Sequence, residues 1–390
     1  MTRPSLPPSW LGCAARIREL EPTVRAWAHY EPGPAWAWSG IPIGVKDIFN
    51  TADWPTEHGS PLFAGYRPGN DARAVTALRR AGFAIVGKLH TSEFAVHEPA
   101  PTRNPLDLLR SPGTSSGGCA AAVAAGMVPM ALCSQTAAST IRPASYCGVW
   151  GFKPSFGLIP RTGMLHTTDT LDTVGMMARS IDGIVLLFET LRVRGPNHPL
   201  SKVRQDDRPA RRVAKVIGPK SDLQSKEATD GYVEFTSQNV VLPPEFHAAH
   251  DIHRIIYHKC LSYYLRDEYQ RRPDLFSAGL VAIIEEGRTI TVEQYQAALA
   301  DQIRLARQFD ALMQDYDLLV CPSAAGEAPA WGEPDIADHS LIWTLCGAPA
   351  LSAPILKGPT GMPIGVQVVG RRFEDYKVLE FGRFLAGISN

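Results

Sequence analysis

The densest concentration of chemically useful residues is Ser111-Pro-Gly-Thr-Ser-Ser-Gly-Gly-Cys-Ala-Ala-Ala-Val-Ala-Ala-Gly126. Small residues bury little area, so serine and glycine packed this tightly serve backbone geometry or close approach. A capped helix start, with Ser115 or Ser116 as the N-cap, accounts for them without chemistry. A second stretch, Cys133-Ser-Gln-Thr-Ala-Ala-Ser-Thr-Ile-Arg-Pro-Ala144, follows an apolar run. A turn of small residues around a serine can aim several backbone N–H groups at one point, as an oxyanion hole requires. A plain strand-to-helix turn uses the same residues. The third feature is Lys46, set between Ile-Pro-Ile-Gly-Val and Asp-Ile-Phe. A lysine buried there as an ion is costly. It must pair, with Asp47 as the nearest partner, or lose its proton readily and act as a general base. Snorkelling to the surface is the remaining option.

Taken in order, I-P-I-G-V-K-D, G-T-S-S-G-G and S-Q-T-A-A-S-T-I-R-P-A resemble the amidase-signature family. Asn50–Ser60, Gly87–Ala95, Cys147–Pro154, Leu171–Ser180, Gly347–Pro354 and Gly361–Gln367 look like that family's segments as well, and the likeness is weakest over 198–290. The resemblance implies an α/β fold, a single large domain with a mixed central β-sheet surrounded by α-helices. It also implies an amidohydrolase that cleaves the C–N bond of a small amide, urea or carbamate, with no cofactor. By motif position Ser139 matches the nucleophile, Ser115 the bridging serine that follows a cis peptide bond, and Lys46 the base. The backbone N–H groups of Thr136, Ala137, Ala138 and Ser139 match the oxyanion hole. Glu93, Phe94, His97 and Thr114 are expected to face the substrate. Ala138 and Thr114 stand where the family usually has glycine, Gln135 where aspartate is frequent, and Arg142 lies three residues beyond Ser139. These departures bear on substrate shape more than on mechanism.

Rival readings exist. Gly113-Thr-Ser-Ser-Gly117 fits the nucleophile elbow G-x-S-x-G, which would make Ser115 the nucleophile of an α/β-hydrolase-type esterase. That elbow needs an apolar strand before it, and NPLDLLRSP is broken by Pro105 and Pro112. His247, His250, His253 and His258 fall on one predicted helix, with 247/250 and 250/253 as neighbours on a face. Without H-E-x-x-H or an evident carboxylate or cysteine partner, no metal site is expected. The fold also resembles the amide-cleaving subunit of tRNA-dependent amidotransferases, which works with a partner protein. That subunit typically shows Met-Asp-Glu-Phe where this chain reads Thr91-Ser-Glu-Phe94. An inactive amidase-like binding protein is disfavoured by the presence of all three triad residues. A free-standing amidase is therefore expected, with a homodimer left open.

The elements that must position these residues alternate between strand and helix. Residues 8–28 read as an amphipathic helix and Ile41–Asp47 as a short buried strand. A helix over Asp71–Ala81 feeds a strand over Phe83–Gly87. Ser116–Ala125 reads as a tightly packed helix, and strand-like Val128–Cys133 leads into a polar turn at 134–140. Long helices are predicted over 245–270 and 292–315, and strands over Asp317–Cys321 and Gly365–Val369. Residues 198–240 are polar and weakly patterned, as in a surface excursion. No linker divides the chain, so one domain over 1–390 is expected.

Bulk composition narrows the classes. The 390 residues are 45% hydrophobic and 20% charged, ordinary for a globular protein. Lys+Arg and Asp+Glu both number 39, so no net field draws nucleic acid or an anionic membrane. The first twenty residues lack the apolar core of a signal peptide, and no run of about 18 apolar residues is present. Seven cysteines, odd in number and without a C-x-x-C pair, argue against a disulfide framework and for a reducing cytoplasm. The expected partner is a small-molecule amide, with no nucleic acid and no membrane.

Overall fold

Lys46 and the turn that carries Ser139 come side by side because neighbouring parallel strands of one sheet deliver them. The computed structural model describes residues 10–31, 40–96, 99–194, 210, 212–231, 233–236 and 238–388. Its strands are β1 (Trp27–Tyr30), β2 (Ile41–Lys46), β3 (Phe83–Leu89), β4 (Met130–Gln135), β5 (Trp150–Lys153), β6 (Thr173–Ala178), β7 (Val213–Ile217), β8 (Gln238–Val241), β9 (Leu318–Pro322), β10 (Ala350–Lys357) and β11 (Pro363–Gly370). Its helices are α1 (Trp10–Val24), α2 (Arg73–Arg80), α3 (Gly117–Ala124), α4 (Ile141–Cys147), α5 (Ile181–Leu191), α6 (Lys226–Asp230), α7 (Ala249–Tyr264), α8 (Arg266–Arg271), α9 (Ala278–Thr289), α10 (Val292–Leu312), α11 (Ser340–Leu345) and α12 (Asp375–Ile388).

The described residues form one mixed sheet in the order β1-β3-β2-β4-β6-β5-β10-β11-β9-β7-β8. β2 runs parallel to both β3 and β4, with Val45 opposite Leu132. The C-terminal ends of these three strands therefore open on the same edge, at Lys46, Leu89 and Gln135. Antiparallel β6, β5, β10 and β11 continue the sheet, and a second parallel set, β9, β7 and β8, ends it.

Strand alternation sorts side chains to two faces. Met130, Leu132 and Met176 join Ile43 and Val45 in one core with Leu78, Phe188 and Leu385 of the covering helices. Ala131, Cys133 and Met177 face the other way, against Cys119–Val123 of α3. The first seven residues of α3 are all buried. A Cβ on Gly118 would meet the His90 carbonyl oxygen at 2.5 Å, so small residues are what allow α3 to lie this close to the end of β3.

The expected α/β fold with a mixed sheet is present, and the predicted strands and helices around the motifs fall within a few residues of their positions. The surface excursion expected over 198–240 differs. Residues 195–209 lie outside the described residues, but Val213–Ile217 and Gln238–Val241 are strands of the sheet. Of β8 only Val240 is buried, so an edge strand this polar carries almost no alternation to read. Among the described residues no helix is long and apolar enough to cross a membrane.

Candidate active site

Lys46 ends β2 and is fully buried. Asp47, one residue on, projects the other way and pairs with Lys88, Asp47 Oδ1 lying 2.9 Å from Lys88 Nζ, so it is not the partner of Lys46. Lys46 Nζ instead bonds Ser115 Oγ at 2.6 Å and Ser134 Oγ at 3.1 Å. Burial lowers its pKa from 10.5 to about 8, against smaller opposing effects of Cys119, Cys133 and Asp172. An ammonium would present three N–H donors to two acceptors, and a buried orphan donor costs about 1–3 kcal/mol. A neutral amine can instead accept the Ser115 hydroxyl on its lone pair while it donates one N–H to Ser134.

Ser115 precedes α3 on a turn built for close approach. Gly113 has φ +89°, and a Cβ there would meet Pro143 Cγ at 2.6 Å. The Ser115 carbonyl accepts from Thr91 Oγ1 at 3.0 Å. Ser116 is the residue at the N-cap of α3, yet its hydroxyl does not cap; it donates to the Ser134 carbonyl at 3.4 Å. Residues 105–113 contain no strand, so the setting of a nucleophile elbow is missing. The described peptide bonds are all trans, including Thr114–Ser115, where a cis bond was expected. Ser115 meets Lys46 with ordinary backbone geometry.

The turn between β4 and α4 is held from every side. Gln135 Oε1 accepts from the amides of Thr140 (2.9 Å) and Ile141 (3.0 Å), while Gln135 Nε2 donates to Thr344 Oγ1 at 2.9 Å. Thr344 Oγ1 donates to the Ala137 carbonyl at 2.7 Å. His253 Nε2 lies 2.9 Å from the Thr136 carbonyl, which can only accept, so this ring nitrogen carries hydrogen. The Ala138 carbonyl accepts from the Arg142 amide at 3.0 Å. In a trans peptide the C=O and the following N–H point opposite ways, so fixing these three carbonyls fixes the amides of Ala137, Ala138 and Ser139. Among the described residues no protein acceptor receives the amides of Thr136, Ala137, Ala138 or Ser139. Ser139 is half-buried, and its hydroxyl has no hydrogen-bond partner there, Ser115 included.

Ser115, the 136–139 turn and Thr114 line one cavity of about 600 Å³, walled opposite by His250, His253 and Tyr257 of α7 and by Trp331 and Leu341.

The amidase family model matches residues 23–222 and 264–379. The chain belongs to the amidase family. A glutamyl-tRNA(Gln) amidotransferase subunit of Thermotoga maritima is 30% identical over 94% of this chain and 89% of that protein. A solved chain from a vestigial protein complex, tied to the origins of an s-triazine catabolic enzyme, superposes with TM-score 0.88 at 26% identity, covering 97% of this chain and 94% of its own. A crystal structure of an amidase gives TM-score 0.84 at 25% identity, over 96% and 94% of the two chains. This chain is accordingly an enzyme that hydrolyses C–N bonds of amides.

Within this amidase the structure brings Ser115, Ser139 and Thr114 to one cavity, with Lys46 buried behind Ser115, but it turns Glu93 and Phe94 away. Glu93 Oε1 accepts from Ser60 Oγ at 3.2 Å and its Oε2 from the Ser277 amide at 3.0 Å. Phe94 stacks on Phe276 with centroids 5.8 Å apart, in a separate apolar cluster with Tyr257 and Leu261. Backbone reversal at Phe94 (φ 46°) leaves Ala95 and Val96, not these two, on the cavity wall. His97 lies outside the described residues. Of the histidine cluster, His247 is exposed, whereas His250, His253 and His258 line the cavity. Among the described residues no group of three or more His, Cys, Asp or Glu side chains is placed to hold a metal ion. All seven cysteines are free and buried. Sequence reasoning missed Ser134 and Thr344, and weighed His253 only as a metal ligand. Ser134 carried a faint signal, a hydroxyl near the end of an apolar strand; Thr344 carried none.

Proposed function

We propose that this amidase-family enzyme acts on its own on small amides through an acyl-enzyme on Ser139, with Ser115 and Lys46 relaying the proton. The observation that carries this is the 2.6 Å contact between Lys46 Nζ and Ser115 Oγ in a dry setting that favours the neutral amine. A lysine with pKa about 8 is roughly one-tenth neutral at pH 7, against a few parts in ten thousand for an ordinary one.

As a carbonyl docks against the 136–139 amides, the unpartnered Ser139 hydroxyl rotates toward Ser115; such bonds tighten on complex formation. Ser139 Oγ attacks the carbonyl carbon. Its proton passes to Ser115 Oγ, and the proton of Ser115 passes to Lys46 Nζ. The carbonyl electron pair moves onto oxygen, where the turn's amides stabilise it. Collapse of the tetrahedral species breaks the C–N bond, and the relay run backwards protonates the leaving amine. Water then attacks the ester by the same route and releases the acid.

A second reading follows from the relative in Thermotoga maritima, whose name makes it part of an amidotransferase. Both readings share the Ser139 chemistry and differ in whether a partner is needed. Mass spectrometry after treatment with a serine-directed phosphonate tests the chemistry, with the adduct expected on Ser139 and lost in Ser139→Ala. An adduct on Ser115 would sink it. Hydrolysis of simple amides by the purified chain alone supports the free-standing reading; glutamine cleavage only with a partner supports the other.

A further inference from the structure

The cavity's cationic side chain closest in sequence to Ser139 is already paired with carboxylates. Arg142 lies on the first turn of α4; its Nε donates to Asp338 Oδ2 at 2.7 Å and its Nη1 to Asp335 Oδ2 at 3.1 Å. Burial alone would lower the guanidinium's pKa, but Asp338 and Asp335 hold it above its ordinary value, so it stays charged. Asp338 is fully buried, and its other oxygen takes the Ser340 amide at 2.9 Å. The Asp335 side chain is 10% exposed and also accepts the Thr114 hydroxyl. One positive charge thus faces two negative ones on this wall.

The remaining charges do not restore the balance. Arg254 lines the far side, half-exposed, and is paired with Glu286. Glu333 adds a carboxylate, so the described lining carries two guanidiniums against three carboxylates. A substrate carboxylate entering here would meet Arg142 only beside the Asp335 and Asp338 carboxylates that already compensate its charge. Like charges brought together in a partly desolvated site repel strongly, and a few such interactions decide specificity.

We propose that Asp335 is a specificity-determining residue: by occupying Arg142 it closes the cavity to amides that bear a carboxylate and leaves it open to uncharged ones. This rests on the reading that substrate binds in this cavity at Ser139.

Succinamide and succinamate differ only in an amide against a carboxylate at the end remote from the bond cleaved, and they make the test. The wild-type enzyme is expected to favour succinamide in kcat/KM by at least about tenfold, the equivalent of a single unfavourable polar contact. Asp335→Asn keeps the shape and removes the charge, and should narrow that ratio by about tenfold, chiefly through a lower KM for succinamate. Asp335→Ser serves as a second variant if the first folds poorly. A wild-type enzyme that prefers succinamate, or a ratio unmoved in both variants, overturns the inference while leaving the Ser139 chemistry standing. Failure of Ser139 to take up the phosphonate brings down the underlying reading, and the inference with it.

Discussion

Thr344 donates its hydroxyl to the carbonyl of Ala137, 207 residues away in sequence, at 2.7 Å, and the same oxygen accepts from Gln135 Nε2 at 2.9 Å. This one side chain sets the orientation of the Ala137–Ala138 peptide and so the direction of the Ala138 amide. Thr344→Val is nearly isosteric and removes both bonds. Loss of a fixed oxyanion donor costs about 10²–10³ in kcat where measured elsewhere. Here the amide is freed, not deleted, so kcat should fall about 10- to 100-fold with KM little changed. Steady-state kinetics beside a far-UV spectrum check this. An unchanged kcat would show that the turn holds its shape without Thr344.

Lys46 trades stability for reactivity. Unfolded, it keeps its proton up to about pH 10.4, whereas the folded value is about 8, so between those limits the unfolded chain binds more protons and stability rises with pH. Below pH 8 the full penalty applies, on the order of 3 kcal/mol, partly offset by bonds to Ser115 and Ser134 worth about 1 kcal/mol each. Lys46→Met should therefore be inactive yet more stable by about 1 kcal/mol at pH 7 and less stable by about 1 kcal/mol at pH 10. Urea denaturation at the two pH values measures it. A loss of stability that is the same at both would contradict the account.

The buried pair of Lys88 and Asp47 behaves in the opposite sense. Lys88 Nζ also donates to the Pro55 carbonyl at 2.9 Å and to Thr56 Oγ1 at 2.7 Å, so the ammonium is held by two hydrogen bonds beside the carboxylate. Lys88→Met leaves the Asp47 carboxylate buried without its cation and should cost about 3–5 kcal/mol. Lys88→Met with Asp47→Leu should recover most of that loss. Denaturation midpoints of the two variants decide it. Equal stability of the single and double variants would mean that Asp47 is not the source of the cost.

Much of this site was legible in the chain itself. Lys46, Ser115 and Ser139 stand in short segments whose apolar runs and small-residue turns already implied a strand end, a tight helix start and a cluster of amides. What held those turns was not legible. Gln135 was noted only as a departure, yet it caps α4 through the nearby Thr140 and Ile141 amides and anchors Thr344, which lies 209 residues on, and spacing cannot report a contact at that range. Glu93 and Phe94 were expected to face substrate, but the backbone turns through positive φ at Phe94 and Ala95, and the two side chains meet Ser277 and Phe276 just ahead of α9. Asp47 was the nearest carboxylate to Lys46 in sequence, and the direction in which successive side chains project made it the partner of Lys88.

The claim at the centre of this account is that a neutral Lys46 drives the relay, and the pH dependence of kcat/KM in the wild-type enzyme and in Lys46→Arg tests it most directly. The wild-type value should rise with pH through an ionisation near 8 and then level off. Lys46→Arg keeps the charge but cannot shed the proton, so it should be nearly as inactive as Lys46→Ala at every pH. A wild-type profile that rises only near the free-lysine value, or a Lys46→Arg enzyme that retains most of its activity, would show that Lys46 is not the base.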